Sequence, residues 1–491
     1  MDDMTPVGTV GYYSAKSRWL SMARDKDISP DALAKLGAKR LAELLAEACQ
    51  NDQLLRRKIE ILLASKQGGE KLEGAIAKQI TSLSRAHGFV EWHEGPALVA
   101  ELDTLRDGIV RQLGAKDPRA ASEQMWRFLT LAEPTIERVD DSNGRIGDVF
   151  HCAAADIGSL LARVPDLDRV ALAERLHESL GKDDYGFAAQ IITSGSEALG
   201  VEGRVKLREL LKAEIRRLPS RQEKENWDAI GWPRARLSAH LADLADTECD
   251  VDAYIEAIQL GNREHIDAAN VAQRLIAAGR PAEALEWLDK DRRARGPFDL
   301  TIADLRIAAF EALGKKPEAQ ALRWQAFEAT LSAPHLREHL KRLPDFEDFA
   351  TEQKALAHAA TFPSALTALV FLVEWPALEA ADRLVRRRIS ELDGRNYQWL
   401  GKAAEHLVEK WPVSATLLYR ALVLSVLERG FSKAYPYAAR DLASASILGS
   451  RLPPDSGIPD HAAFYAELKA KHGRKYGFWQ IVEGVHERGR R

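Results

Sequence analysis

The chain has 491 residues, 46% of them hydrophobic and 29% charged, with a net charge of −4. That composition can bury a large core, and its charges are too evenly mixed to point to nucleic acid or an anionic membrane as a partner. Cys49, Cys152 and Cys249 lie far apart without zinc-site or disulfide spacing, and no stretch approaches the ~18 apolar residues of a membrane span. A cytoplasmic protein with no cofactor and no metal is the expectation.

Alanine, leucine, glutamate and arginine dominate, β-branched residues rarely alternate, and no segment reads as a strand. Residues 1–27 carry Gly8, Gly11, Tyr12, Tyr13 and Trp19 off any helical period and read as a loosely attached arm. Ser29-Pro30-Asp31 caps a first short helix, and Leu41, Leu44, Leu45 and Ala48 mark the apolar stripe of the next. Asp52 starts a third, with Leu55, Ile59, Leu62 and Leu63 inward, and Leu72, Ile76, Ile80 and Leu83 repeat the period. After an apolar corner at Phe89-Val90-Glu91-Trp92, Pro96 opens a long helix through Leu113. Asp117-Pro118 leads into a helix bearing Met125, Trp126 and Leu129, and the pattern breaks over residues 140–144 before resuming from Ile146 to Leu161. Further helices alternate with turns expected at Gly181, at Gly200 to Gly203 and at Pro219-Ser220; the basic run from Arg204 to Arg236 is interrupted by glutamates, as on a solvated helix face.

The second half repeats itself. Ala278-Gly279-Arg280-Pro281 recurs as Leu313-Gly314-Lys315-Lys316-Pro317, the glycines 35 residues apart, which is the period of helix-turn-helix solenoids. The glycine ends one helix through a left-handed backbone and the proline opens the next, where its missing N–H costs nothing. Trp287 and Trp324 lie on the second helices as wedges between layers. Leu372-Val373-Glu374-Trp375-Pro376 is echoed by Leu407-Val408-Glu409-Lys410-Trp411-Pro412, the Trp-Pro pairs 36 residues apart. Each proline must mark a helix boundary, since inside a helix it would cost ~3 kcal/mol.

The expected fold is therefore all-α, an α-solenoid of stacked antiparallel helix pairs, HEAT-like in the N-terminal half and TPR-like in the C-terminal half. The expected divisions are the arm at 1–27, a helical-repeat region at 28–248, a TPR-like region at 249–450 and capping helices at 451–491. The phrases Glu137-Arg138-Val139-Asp140-Asp141-Ser142-Asn143-Gly144, Asp184-Tyr185-Gly186, Arg342-Leu343-Pro344-Asp345-Phe346-Glu347-Asp348, Phe371-Leu372-Val373-Glu374-Trp375-Pro376 and Leu417-Leu418-Tyr419-Arg420-Ala421-Leu422 resemble an uncharacterised bacterial family from about residue 30 to about 480. That family is similar to the helical-repeat region accompanying SWIM-type zinc-binding modules. The Cys-x-Cys and Cys-x-His ligands of such a module are absent here, so the resemblance implies a scaffold and no assigned activity.

Several patterns could carry chemistry. His335-Leu336-Arg337-Glu338-His339 fits the H-x-x-E-H spacing of inverted zinc proteases, but Leu336, Leu340 and Leu343 make an ordinary amphipathic stripe that would turn both histidines to the surface. Asp140, Asp141 and Asp148, with His151 one turn after Asp148, could hold a hard cation or an acid/base pair; the same residue types build helix-connecting turns, the preferred reading. Lys469, Lys471, His472, Arg474 and Lys475 precede Tyr476, Phe478 and Trp479, a mixture that could stack on bases, while Phe464, Tyr465 and Leu468 argue that these aromatics dock a capping helix. Arg383 and Arg386-Arg387-Arg388 read as a polar helix face.

The leading functional expectation is a protein-interaction scaffold that holds a peptide or protein, with no catalytic residues. Asn270, Gln273, Arg274, Arg306, Gln398 and Lys402 are the candidate contacts. The alternative is a metal-dependent hydrolase or nucleic-acid accessory factor using Asp140, Asp141, Asp148 and His151 or the C-terminal basic-aromatic helix. Oligomeric state is left open.

Overall fold

The computed structural model describes residues 29–218, 227–261, 266–291, 298–453 and 455–488. The expected arm at 1–27 and the expected turn at Pro219-Ser220 lie outside them. The fold is all-α: 77% helical, with helices packed on their neighbours in the chain and no strand among the described residues. An isolated parallel bridge, Val90 to Val139, closes the apolar corner, with the Val90 N–H donating to the Arg138 carbonyl at 2.9 Å.

Contacts divide the chain into two units, Met1–Ile266 and Asp267–Arg491. The first unit contains α1 (Pro30–Ala34), α2 (Ala38–Asn51), α3 (Gln53–Gln67), α4 (Gly69–Ser84), α5 (Gly95–Asp107, continued by a π-helical turn Gly108–Leu113), α6 (Pro118–Leu129), α7 (Ala132–Ile136), α8 (Arg145–Leu161), α9 (Arg169–Lys182), α10 (Ala189–Ser194), α11 (Ser196–Arg217), α12 (Trp227–Thr247) and α13 (Val251–Gly261). The second contains α14 (Ala268–Ala277), α15 (Pro281–Lys290), α16 (Leu300–Ala312), α17 (Lys316–Thr330), α18 (Ala333–Leu340), α19 (Glu347–Thr361), α20 (Ala365–Glu374), α21 (Leu378–Arg388), α22 (Tyr397–Leu407), α23 (Pro412–Arg429), α24 (Tyr435–Gly449), α25 (His461–His472) and α26 (Tyr476–Arg488).

Helix starts follow local chemistry. Ser29, Asp52, Asp117, Asp168, Asp299, Ser364 and Asp460 each accept a backbone N–H of the first turn on their side chains, a cap worth about 1 kcal/mol apiece. Gly279 and Gly314 take left-handed φ of 73° and 71°, and α15 and α17 open with Pro281 and Lys316-Pro317, so the repeat is a real structural punctuation. Both Trp-Pro pairs sit at boundaries: Trp375 caps the end of α20, and Pro412 begins α23.

The turn expected at Gly200 to Gly203 falls at Gly200, whose backbone (φ 56°, ψ −170°) is non-helical and breaks α11 into two helical stretches. Gly203 lies in the second stretch, where a Cβ would come within 2.9 Å of the Arg169 carbonyl oxygen. Gly181 departs from expectation: it remains inside α9, and the turn begins two residues later at Asp183. The basic run is paired: Arg204 and Arg208 share Glu248, Lys206 meets Glu174 at 2.8 Å and Lys212 meets Glu256 at 2.8 Å.

Sequential layers fill the interior. In the second unit Phe327, Leu336, Leu369, Leu372, Leu384, Leu400 and Leu418 join one core, and Leu427, Leu442, Phe464, Phe478 and Trp479 form another under α25 and α26. Each fully buried side chain of this size contributes about 1.5–3 kcal/mol of burial free energy before chain entropy is counted. Close approach in the first unit depends on Gly158 of α8, whose Cα lies against the Ser194 backbone at the end of α10. Among the described residues no helix is long and apolar enough to cross a membrane.

Candidate functional site

A pocket of about 270 Å³ in the first unit gathers Trp126 and Leu129 from α6, Glu133 from α7, Lys182 from the end of α9, and Tyr185 and Phe187 from the loop that follows. The loop is pinned by one carboxylate. Asp183 Oδ1 accepts the N–H groups of Tyr185 (3.1 Å) and Gly186 (2.9 Å), Oδ2 accepts that of Ala188, and Gly186 supplies the φ of 81° that the turn requires. The Tyr185 and Phe187 rings are consequently held stacked at 6.1 Å.

Trp126 forms another wall, 6% exposed, with the Arg175 guanidinium 4.8 Å above its ring and Arg175 itself paired with Glu123. Its buried indole N–H has no acceptor. A buried donor left unmatched costs about 1–3 kcal/mol. Aromatic walls with the Glu133 and Asp184 carboxylates nearby suit an apolar or cationic side chain.

The acidic loop serves the backbone. Asp141 accepts the N–H of Ile146 on one oxygen and that of Gly147 on the other, both at 3.0 Å, while Asp140 accepts from Ser142 and Asn143 from Arg145. Gly144, at φ 70°, completes the turn into α8. Asp141 therefore acts as a cap from five residues upstream, and Asp148 lies in the first turn of α8. No group of three or more His, Cys, Asp or Glu among the described residues is placed to hold a metal ion. His151 is the member that reaches the pocket region: its ring meets Phe187 edge-on at 4.8 Å.

In the second unit the two Trp-Pro turns border one open cleft of about 530 Å³, lined by Pro376 and Arg383 on one side and by His406, Glu409, Lys410 and Trp411 on the other. Trp375 is anchored behind it, its indole N–H donating to Glu352 Oε1 at 2.7 Å. The expected contact residues line neither this cleft nor the aromatic pocket. Asn270 donates to Asp267 at 3.1 Å, Arg274 to the Asn270 carbonyl at 3.0 Å, and Arg306 pairs with Asp289 at 2.6 Å. Gln273 and Gln398 are exposed, and Lys402 rests over the Trp399 ring at 5.5 Å.

The two histidines of the H-x-x-E-H stretch are only partly exposed and are bonded to groups of neighbouring helices, which modifies the sequence expectation of a surface position. His335 bridges Ser332 Oγ (2.7 Å) and Asp304 Oδ1 (2.8 Å), and His339 sits against Trp324 with Nδ1 3.1 Å from the Gln320 carbonyl. Desolvation by burial holds His339 below the usual histidine pKa. Neighbouring helices α16 and α17 supply these partners, which no local pattern could reveal. Glu338 pairs with Arg342. At the C-terminus Phe478 and Trp479 are core residues, Lys469 covers the Trp479 ring and Lys471 pairs with Glu428, leaving Tyr476 exposed. Arg383, Arg386 and Arg388 pair with Glu379, Asp382 and Glu391.

The sequence did not identify Trp126 and Phe187 as site residues. The available signal was Asp183 followed two residues later by Tyr185-Gly186, an aspartate-glycine turn displaying an aromatic between helices. Among curated proteins none matches the chain. The sequence pattern of a family of unknown function, DUF6880, matches residues 23–481, and the chain belongs to that family.

Proposed function

We propose that this protein is an interaction scaffold that docks a segment of a partner protein, with the pocket of Trp126, Tyr185 and Phe187 as its anchor point. The observation that carries this reading is the cavity walled by Trp126, Tyr185 and Phe187, whose loop is already fixed by Asp183. An apolar or basic side chain would fill the space between the rings, with Glu133 and Asp184 attracting a positive charge. Because the loop is ordered before binding, little conformational entropy is lost there on docking. The finer classification as HEAT-like and TPR-like repeats, kinship with the regions that accompany SWIM-type modules, and a cytoplasmic setting belong to the same proposal.

The test is site-specific photocrosslinking in the native cell. A photoreactive phenylalanine analogue at Tyr185 is expected to capture one protein, and Trp126→Phe, which shortens the aromatic wall of the pocket, is expected to weaken capture several-fold. Equal capture from a probe at Ile447, an exposed position in the second unit, or no change with Trp126→Phe, would refute the assignment.

A further inference from the structure

The first described helices bury nothing. No residue of α1 or α2 is buried, although Leu41, Leu44, Leu45 and Ala48 of α2 recur at i, i+3, i+4 and i+7 and so form one apolar stripe. Leu44 is 37% exposed and Leu45 46%; Leu33 and Leu36, which precede α2, and Leu62 and Leu63 on α3 are exposed by between 38% and 57%. Among the described residues Leu313 is the only other leucine open to this degree. A covered face looks different: Ile61 of α3 is 3% exposed and packs on Gly108, where a Cβ would come within 2.9 Å of its Cδ1.

An uncovered stripe is costly for α2 in particular. A helix of 14 residues is marginal in water by itself and owes its order to the packing of its apolar face. At the end of a series of stacked helices that face has no further layer, and such ends are closed by a cap whose outer side is polar.

The chain itself carries a segment suited to that place. Residues 1–28 lie outside the described residues and lead directly into α1. They hold two apolar clusters, Tyr12-Tyr13 and Trp19-Leu20 with Met22, separated by Lys16 and Arg18. Reach is sufficient: the 10 residues from Trp19 to Ser29 can span up to roughly 33–36 Å, while the whole of α2 rises about 21 Å. So short a tether holds the aromatic cluster beside the stripe at an effective concentration on the order of millimolar, an advantage that a second copy arriving from solution lacks.

We infer that residues 12–22 fold back onto the stripe of α2 and form its end cap, with Trp19 and Leu20 against Leu41, Leu44 and Leu45 and with Lys16 and Arg18 on the solvent side. The segment then belongs to the folded first unit instead of forming a loose arm. This docking is independent of the Trp126 pocket and stands or falls apart from it.

The experiment places a photoreactive phenylalanine analogue at Leu45 of the full chain and irradiates an equal mixture of light and heavy isotope-labelled purified protein, followed by digestion and mass spectrometry. Crosslinks from position 45 to peptides within residues 12–22 are expected, each joining two light or two heavy partners, with a yield independent of protein concentration. Links between light and heavy peptides would give the face to a second copy, and the absence of links to residues 1–28 would leave it to some other partner; either result overturns the proposal. Amide hydrogen exchange gives a readout with Leu45 intact. Trp19→Ser/Leu20→Ser, which alters only residues outside the described helices, is expected to speed exchange over residues 41–49 about tenfold or more while leaving α23 unchanged. Unchanged exchange over residues 41–49, or an equal acceleration in α23, overturns it as well.

Discussion

Replacing Asp141 with alanine separates the two readings of the acidic loop. In the structure both carboxylate oxygens are occupied, one by the Ile146 N–H and one by the Gly147 N–H, at 3.0 Å each. Losing a cap of this kind costs ~1–2 kcal/mol, since two first-turn N–H groups of α8 lose their acceptor. For a unit of this size each kcal/mol moves the unfolding midpoint by roughly 2–4 °C, so a drop of about 2–8 °C is expected. Asp148 offers a contrast. It sits in the first turn of α8, where its charge meets the positive end of the helix dipole, worth about 0.3–1 kcal/mol. Circular dichroism melts of Asp141→Ala, Asp148→Ala and the parent chain, together with crosslinking at Tyr185, measure both stability and binding. A midpoint unchanged in Asp141→Ala, or a larger loss in Asp148→Ala, would refute the capping argument.

Three further perturbations test other parts of the argument. Gly158→Ala would drive a methyl into the Ser194 backbone and should destabilise by ~1–3 kcal/mol, whereas Gly147→Ala, with only Asp141 Oδ2 at 3.7 Å, should be neutral or slightly stabilising in the same chemical denaturation. Arg420 is buried, with Nε and Nη2 lacking acceptors, its guanidinium 4.5 Å from the Phe464 ring, and desolvation holds its pKa below the usual value; Arg420→Met should stabilise by about 1–2 kcal/mol, and a loss of similar size in urea melts would contradict this. Acidification acts on two buried groups in opposite directions. Burial lowers His240 from 6.5 to about 4, so its contribution is present above pH 6.5 and is lost as pH falls towards 4. Burial raises Asp441 from 3.8 to about 6, so its contribution is complete below 3.8 and is lost as pH rises through 6. Because the two slopes oppose each other in the parent, stability measured from pH 4 to 7 should rise with pH in Asp441→Asn, which leaves the His240 component, and fall with pH in His240→Leu, which leaves the Asp441 component; identical pH slopes in parent and variants would show that neither group titrates as described.

Much of the helix grammar was legible. Ser29, Asp52 and Asp117 announced their helices because a cap is a hydrogen bond between residues three apart, and Gly279-Arg280-Pro281 announced a boundary because left-handed glycine and N-terminal proline are local preferences. Gly200 likewise marked a real break in α11, whereas Gly181 misled for the complementary reason: glycine permits a turn but does not impose one, and α9 runs on to Lys182. The histidines of H-x-x-E-H were assigned to the surface from their own helix alone, while α16 and α17 covered them.

By itself the sequence determined the all-α class, most helix boundaries, the 35-residue repeat and the apolar faces that must be covered, since these depend on hydrogen bonds and periodicities within one or two turns. Tertiary structure decided which faces meet. Trp126 and Tyr185 are 59 positions apart, and Glu311 and Arg342 are 31 apart; no local preference brings either pair together, and only the packing of the helices that carry them closes those distances.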